Sequence, residues 1–146
     1  MQRTGVKLLP RFQKLDRTRQ RLLMEAVATL TVISVALHLL PFKRAIRLGA
    51  VRISPRNPGS KVEDVVWAIE AAARWLPWTI VCIQSGISAQ RMLRRRGKDA
   101  ILHYGVGNGR RSENLEAHVW VAVDGRPVIG GEEARGFAPV AAFPSD

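Results

Sequence analysis

Apolar positions recur along this chain first at helical and then at strand spacing. Val62, Val65, Val66, Ile69, Ala72, Ala73 and Leu76 follow the three-and-four interval of one helical face, and Pro77 disfavours helical geometry in the residue before it. Ser60-Lys61-Val62-Glu63 upstream has the form of a capping box, which sets the expected start of that helix. An earlier helix is predicted from Arg17 to Leu40, containing the apolar run 26–40 between Glu25 and Pro41, and a shorter helical turn over 43–48 ends at Gly49, expected as a left-handed cap. Residues 54–60 are loop by composition and the best linker candidate. Thr79 is the expected cap of a third long helix that carries Cys82 in its first turn and ends at Gly97. Cys82, Gly86, Ala89 and Leu93 share one face of it, where small residues let a sheet approach closely.

Beyond Gly97 the period changes. Residues 100–106, 117–123 and 126–129 read as strands, 107–114 as a glycine- and charge-rich loop, and 136–143 as a last strand or extended tail. Asp124-Gly125 between two apolar runs is a strong hairpin signal, because both positions of a type I′ turn need positive φ. Helices followed by a small antiparallel sheet define an α+β class.

With 146 residues, 47% of them hydrophobic, the chain has material for one core. The expected organisation is a flexible basic arm over 1–16 and a single domain over 17–146, helical to 97 and sheet from 98. The run 26–40 is shorter than the roughly 20 apolar residues of a bilayer span. A buried helix is therefore the preferred reading, with an interfacial helix fed by Lys7, Arg11, Lys14, Arg17, Arg19 and Arg21 as the alternative. The formal charge of +11 attracts polyanions, acidic peptides or anionic lipid headgroups without choosing among them. The order of a secretory signal is missing and the lone cysteine fits a reducing compartment, so the cytoplasm is the expected location.

One cysteine cannot form an internal disulfide. Cys82 stands where helix-start amides and the dipole favour a thiolate over a thiol, and His118 opens a later strand. The dyad requires His118 to face the cysteine helix while Val119, Val121 and Val123 point the other way. A buried structural thiol and a structural histidine are the competing reading. His38, inside the first helix, is expected to be packed with one hydrogen bond, and His103 to be an ordinary strand residue. Asp124 lies roughly 20 Å along the strand from His118 and is assigned to the turn. Counting back from Val123 opposite Arg126 sets Gly130 and Gly131 opposite Val119 and His118, so Glu132 is the nearest choice for the orienting acid, ahead of Glu133. The glycines of 105–109 lack the residues of a phosphate loop, and no metal-ligand spacing occurs; no metal and no cofactor is expected. Arg91, Arg94 and Arg95, in the cluster closing the cysteine helix, are candidate substrate- or partner-binding residues together with Trp120. Aromatics do not interleave with this cluster, and nucleic acid is not expected as a partner.

The order Arg-Leu-Leu-Met-Glu-Ala (21–26), Pro41-Phe42, Leu76-Pro77-Trp78, Cys82, Arg94-Arg95-Arg96-Gly97, Gly105-Val106 and Ala117-His118-Val119-Trp120-Val121 with Asp124-Gly125 resembles the transglutaminase-like cysteine peptidases of lasso-peptide biosynthesis. The resemblance spans about residues 20–140. It implies a transglutaminase- or papain-like fold, with the cysteine helix packed on a small sheet that carries the histidine. It also implies a peptidase that removes the leader of a ribosomally made precursor peptide, acting with an asparagine-synthetase-like cyclase. Some members fuse a leader-recognition domain ahead of the peptidase; this chain has no room for one, which implies a separate recognition protein. The family's aspartate, twelve or thirteen residues after the histidine, is Gly130 or Gly131 here, and its glutamate after the Trp-Val step is Ala122. A non-catalytic basic module that binds a peptide or a membrane surface is the alternative, and acyl transfer to an amine a third.

Overall fold

The computed structural model describes residues 13–51, 60–107 and 115–144. The expected linker apart from Ser60, most of the glycine-rich loop and most of the N-terminal arm lie outside these residues. The described chain runs α1 (Arg17–Leu39), α2 (Phe42–Ile46), a 3-10 turn (Arg47–Ala50), α3 (Val62–Trp75), α4 (Cys82–Arg94), β1 (Ala100–Gly107), β2 (Glu116–Val123), β3 (Arg126–Ile129), a second 3-10 turn (Glu133–Gly136) and β4 (Phe137–Phe143). The sheet is antiparallel with strand order β3-β2-β1-β4. The fold is α+β, as the spacing of apolar residues implied.

The three long helices start in different ways. Asp16 caps α1, its carboxylate accepting from the Arg19 amide at 2.9 Å. The Ser60–Glu63 capping box does not form: α3 begins at Val62 behind Lys61, with no side-chain cap, and Glu63 and Asp64 face the dipole in its first turn. Thr79 does not cap α4 either. That helix begins at Cys82 behind Val81, and the Gln84 side chain reaches back to accept from the Val81 amide at 2.7 Å. The Gln84 amide also donates to Ser34 Oγ on α1 at 2.9 Å, and the Trp78 indole donates to the same oxygen at 3.3 Å. A residue that caps α4 is thereby fastened to α1. Gly97 has φ +75°, the left-handed geometry expected after a helix end. Gly49 is not a left-handed cap. It lies in the 3-10 turn, and its place against α4 is what requires glycine, since a Cβ there would stand 2.5 Å from Gln90 Oε1 and 2.9 Å from the Ile87 carbonyl.

The core forms between the helices and one face of the sheet. Leu22, Ala26, Leu30 and Ile33 on α1, Val65, Ala68, Ile69 and Ala72 on α3, and Ile87, Ala89, Met92 and Leu93 on α4 pack with Ala100, Leu102, Val119, Val121 and Val123. Burying a side chain of this kind is worth about 1.5–3 kcal/mol. At the base of the layer, the buried Gln90 amide on α4 donates to the carbonyls of Phe143 (2.6 Å) and Ala100 (3.2 Å), joining the end of β4 and the start of β1 to one helix.

Asp124 and Gly125 turn the β2–β3 hairpin with φ of 51° and 77°, and Val123 pairs with Arg126 as expected. The register then slips: Ala122 pairs with Pro127 but Val121 with Ile129, so Val128 is an extra residue on β3. Counting a regular ladder back to His118 therefore misplaces the glycines. Each edge strand contains a proline, Pro127 in β3 and Pro139 in β4.

Candidate active site

An open cavity of about 650 Å³ lies where α3, α4 and the β2–β3 hairpin meet. Ile69, Glu70, Ala73 and Arg74 come from α3, Cys82 and Ser85 from α4, His118 and Val119 from β2, and Ile129 and Gly130 from the end of β3. The sequence singled out Cys82 and His118, and both line this space. Cys82 is the first residue of α4 and half-buried, and His118 is buried. No hydrogen bond joins them among the described residues.

The faces of β2 differ from expectation. Val119 packs on the cysteine helix: a Cβ on Gly86 would stand 2.7 Å from Val119 Cγ1 and 3.3 Å from Leu102 Cδ1. Val119, Val121 and Val123 belong to the core, so alternation puts His118 and Trp120 on the opposite face. There the His103 and Trp120 rings stack with centroids 5.5 Å apart, and His118 lies 6.1 Å from Trp120 and 5.1 Å from Phe137. His118 reaches the cavity beside the end of the hairpin instead of across the helix–sheet packing.

The orienting acid expected at Glu132 is not found. Glu132 is exposed, and among the described residues no hydrogen bond or ion pair joins it to the imidazole. His118 Nε2 lies 2.9 Å from the Gly130 carbonyl instead. A carbonyl only accepts, so Nε2 carries the proton, and in the neutral ring Nδ1 keeps the lone pair. Gly130 has φ +73°, and a Cβ there would stand 2.9 Å from the Val119 carbonyl and 3.2 Å from His118 Nε2. A Cβ on Gly131 would meet Pro127 Cβ at 2.5 Å. Neither position admits an aspartate on this backbone, and a main-chain oxygen occupies the carboxylate's role toward the ring.

The arginines proposed for partner binding are committed within the chain. Arg91 donates to the Leu48 carbonyl at 3.0 Å, and Arg94 to the Ala100 carbonyl at 3.4 Å, with Asp99 3.9 Å away. Arg95 and Arg96 converge on Glu25, Arg96 through both terminal nitrogens at 3.2 and 2.6 Å. Trp120 is buried in the ring stack and offers no binding surface. His38, expected to be packed, is exposed. Conversely, Glu70 and Arg74, one helical turn apart at the mouth of the cavity, and Ser85, one turn beyond Cys82, were not singled out. Their signal was the helical interval itself, read only for apolar positions.

A helix-start thiol and an imidazole of fixed tautomer around one open cavity are the components of thiol-dependent acyl chemistry. The Transglutaminase-like superfamily matches residues 26–142, and the chain belongs to it. That superfamily includes cysteine peptidases. No curated protein and no solved structure matches the chain.

Proposed function

We propose that the protein is a cytoplasmic cysteine peptidase that removes the leader from a lasso-peptide precursor, working with a separate leader-recognition protein and an asparagine-synthetase-like cyclase. The observation that carries the chemistry is the shared cavity of Cys82 and His118, with the imidazole held by the Gly130 carbonyl. The pathway rests on the ordered motifs from Arg21 to Gly125.

In this reading His118 Nδ1 takes the Cys82 thiol proton as Sγ attacks the scissile carbonyl carbon. First-turn amides of α4 stabilise the oxyanion. Collapse breaks the C–N bond, His118 returns the proton to the leaving amine, and a thioester remains on Cys82. Water, deprotonated by the same nitrogen, then releases the leader acid and the free thiol. Catalysis requires the two side chains to close to hydrogen-bonding reach when substrate fills the cavity. Active sites often tighten in this way on binding substrate.

Cys82→Ala, incubated with the cognate precursor and recognition protein and followed by mass spectrometry, should give no cleavage. Undiminished cleavage removes Cys82 as nucleophile. Rapid alkylation of the folded protein by iodoacetamide at neutral pH is the companion expectation. A second reading, a binding module without catalysis, draws on the missing Cys82–His118 hydrogen bond and the missing carboxylate. It requires a wild-type protein that binds precursor yet never cleaves it under these conditions.

A further inference from the structure

Helix α1 is apolar on two sides. Its inner side carries the core residues Leu22, Ala26, Leu30 and Ile33. On the outer side Arg17, Arg21, Met24, Ala28, Val32, Val35 and Leu39 follow one another at intervals of three or four, forming a single stripe, and all are exposed. Met24 and Val32 are each 63% exposed, Val35 50% and Leu39 76%. The apolar part of the stripe is about 22 Å long at the helical rise. Cations flank it along the chain, Arg17 and Arg21 in the first turns of the helix and the exposed Lys43, Arg44 and Arg47 within eight residues of Leu39. The two acids of this segment are engaged elsewhere: Asp16 caps the helix and Glu25 holds Arg95 and Arg96.

We propose that this stripe rests on an anionic bilayer surface, with the apolar side chains among the upper acyl chains and the two basic ends at the headgroups. The inference is independent of the chemistry assigned to Cys82. The helix is long and apolar enough to span a membrane by length and composition. Its inner residues are nevertheless part of the core, so a span would dismantle the fold, whereas lying flat on a membrane leaves the core intact. A second copy is a poor occupant, because either direction of stripe-to-stripe pairing opposes cations to cations. A bound peptide seeks walls, and the stripe is a convex ridge. A soft planar surface of negative charge satisfies both the shape and the flanking charge.

The test is co-sedimentation of the full chain at physiological salt with vesicles of three parts phosphatidylcholine to one part phosphatidylglycerol, and with phosphatidylcholine alone. Val35→Glu and Leu39→Glu alter only exposed positions, and a thermal melt checks that they stay folded. Wild-type protein is expected to bind the anionic vesicles, and each variant to lose that binding by about tenfold or more. Replacing Lys43, Arg44 and Arg47 by alanine should weaken it by a similar or larger factor, at about fivefold per cation near an anionic surface. Three results would overturn the proposal: no wild-type binding at this salt; binding reduced by the alanine set but untouched by the glutamates, which is unspecific electrostatics; or a wild-type dimer in sedimentation velocity that Leu39→Glu dissolves.

Discussion

Replacing Glu25 by leucine should destabilise the protein far more than a half-buried surface acid would suggest, because Glu25 is what makes a buried arginine tolerable. The Arg96 side chain is 4% exposed and that of Glu25 23%. Both carboxylate oxygens receive Arg96 nitrogens, and Arg95 lies 3.4 Å from one of them. Without the carboxylate, Arg96 keeps only the Met92 carbonyl, at 3.0 Å, for its charge. Removing one member of a buried pair costs about 3–5 kcal/mol, and water reaching the partly open site lowers this to about 2–3 kcal/mol. At roughly 3 °C per kcal/mol for a chain of this size, the thermal midpoint should fall by about 6–9 °C. Arg96→Met alone should cost about 1 kcal/mol, since Glu25 still has Arg95 and solvent. The double variant Glu25→Leu with Arg96→Met removes both charges and should lie within about 1 kcal/mol of wild type. Urea unfolding of the four proteins, followed by circular dichroism, measures the cycle. The reasoning fails if Glu25→Leu shifts stability by less than about 0.5 kcal/mol, or if the double variant is no more stable than Glu25→Leu alone.

Gly130→Ala should displace the oxygen that holds His118, because its Cβ has no room, while Gly125→Ala carries the same positive-φ strain in open space. Imidazole nitrogen-15 spectra should show the Nε2–H form in wild type and Gly125→Ala and a mixture in Gly130→Ala; a mixture already in wild type would refute the assignment. Gln90→Leu should cost about 1–3 kcal/mol in urea unfolding, since it leaves the Phe143 carbonyl without its donor and the Ala100 carbonyl with only the longer Arg94 bond at 3.4 Å. A loss below 1 kcal/mol would mean that water replaces the amide. Gly86→Val should cost about 1–3 kcal/mol by overpacking against Val119, and Val119→Ala should recover part of it; a wild-type midpoint for Gly86→Val would show that helix and sheet are not in close contact there.

Features set by neighbouring residues were legible in the sequence. The Asp124-Gly125 turn needs two positive φ angles, and the face of α3 needs only the helical interval, so both were readable from a few positions. Gly97 belongs with them. The faces of β2 were not. Alternation says that His118 and Val119 point apart, but which one meets α4 depends on Gly86, more than thirty residues earlier. Charge was misread for a similar reason: Arg94-Arg95-Arg96 looks like an open cationic patch, yet Glu25 lies about seventy residues away in sequence and fills it. The orienting oxygen was hidden because it belongs to the main chain. Gly130 and Gly131 carry no side chain to mark an orienting group, and it is the absence of a Cβ that lets the Gly130 carbonyl approach the ring. The start of α4 depends on a residue inside the helix: Gln84 accepts from the Val81 amide ahead of Cys82, and Thr79 is not the cap.

The prolines in the outer strands bear on how this molecule behaves in company. A sheet with two free margins invites further strands, and each added strand needs an unbroken row of amide donors. Pro127 interrupts that row on one side and Pro139 on the other. Neither margin is a good template, so concentrated solutions should resist edge-to-edge accretion into fibrils.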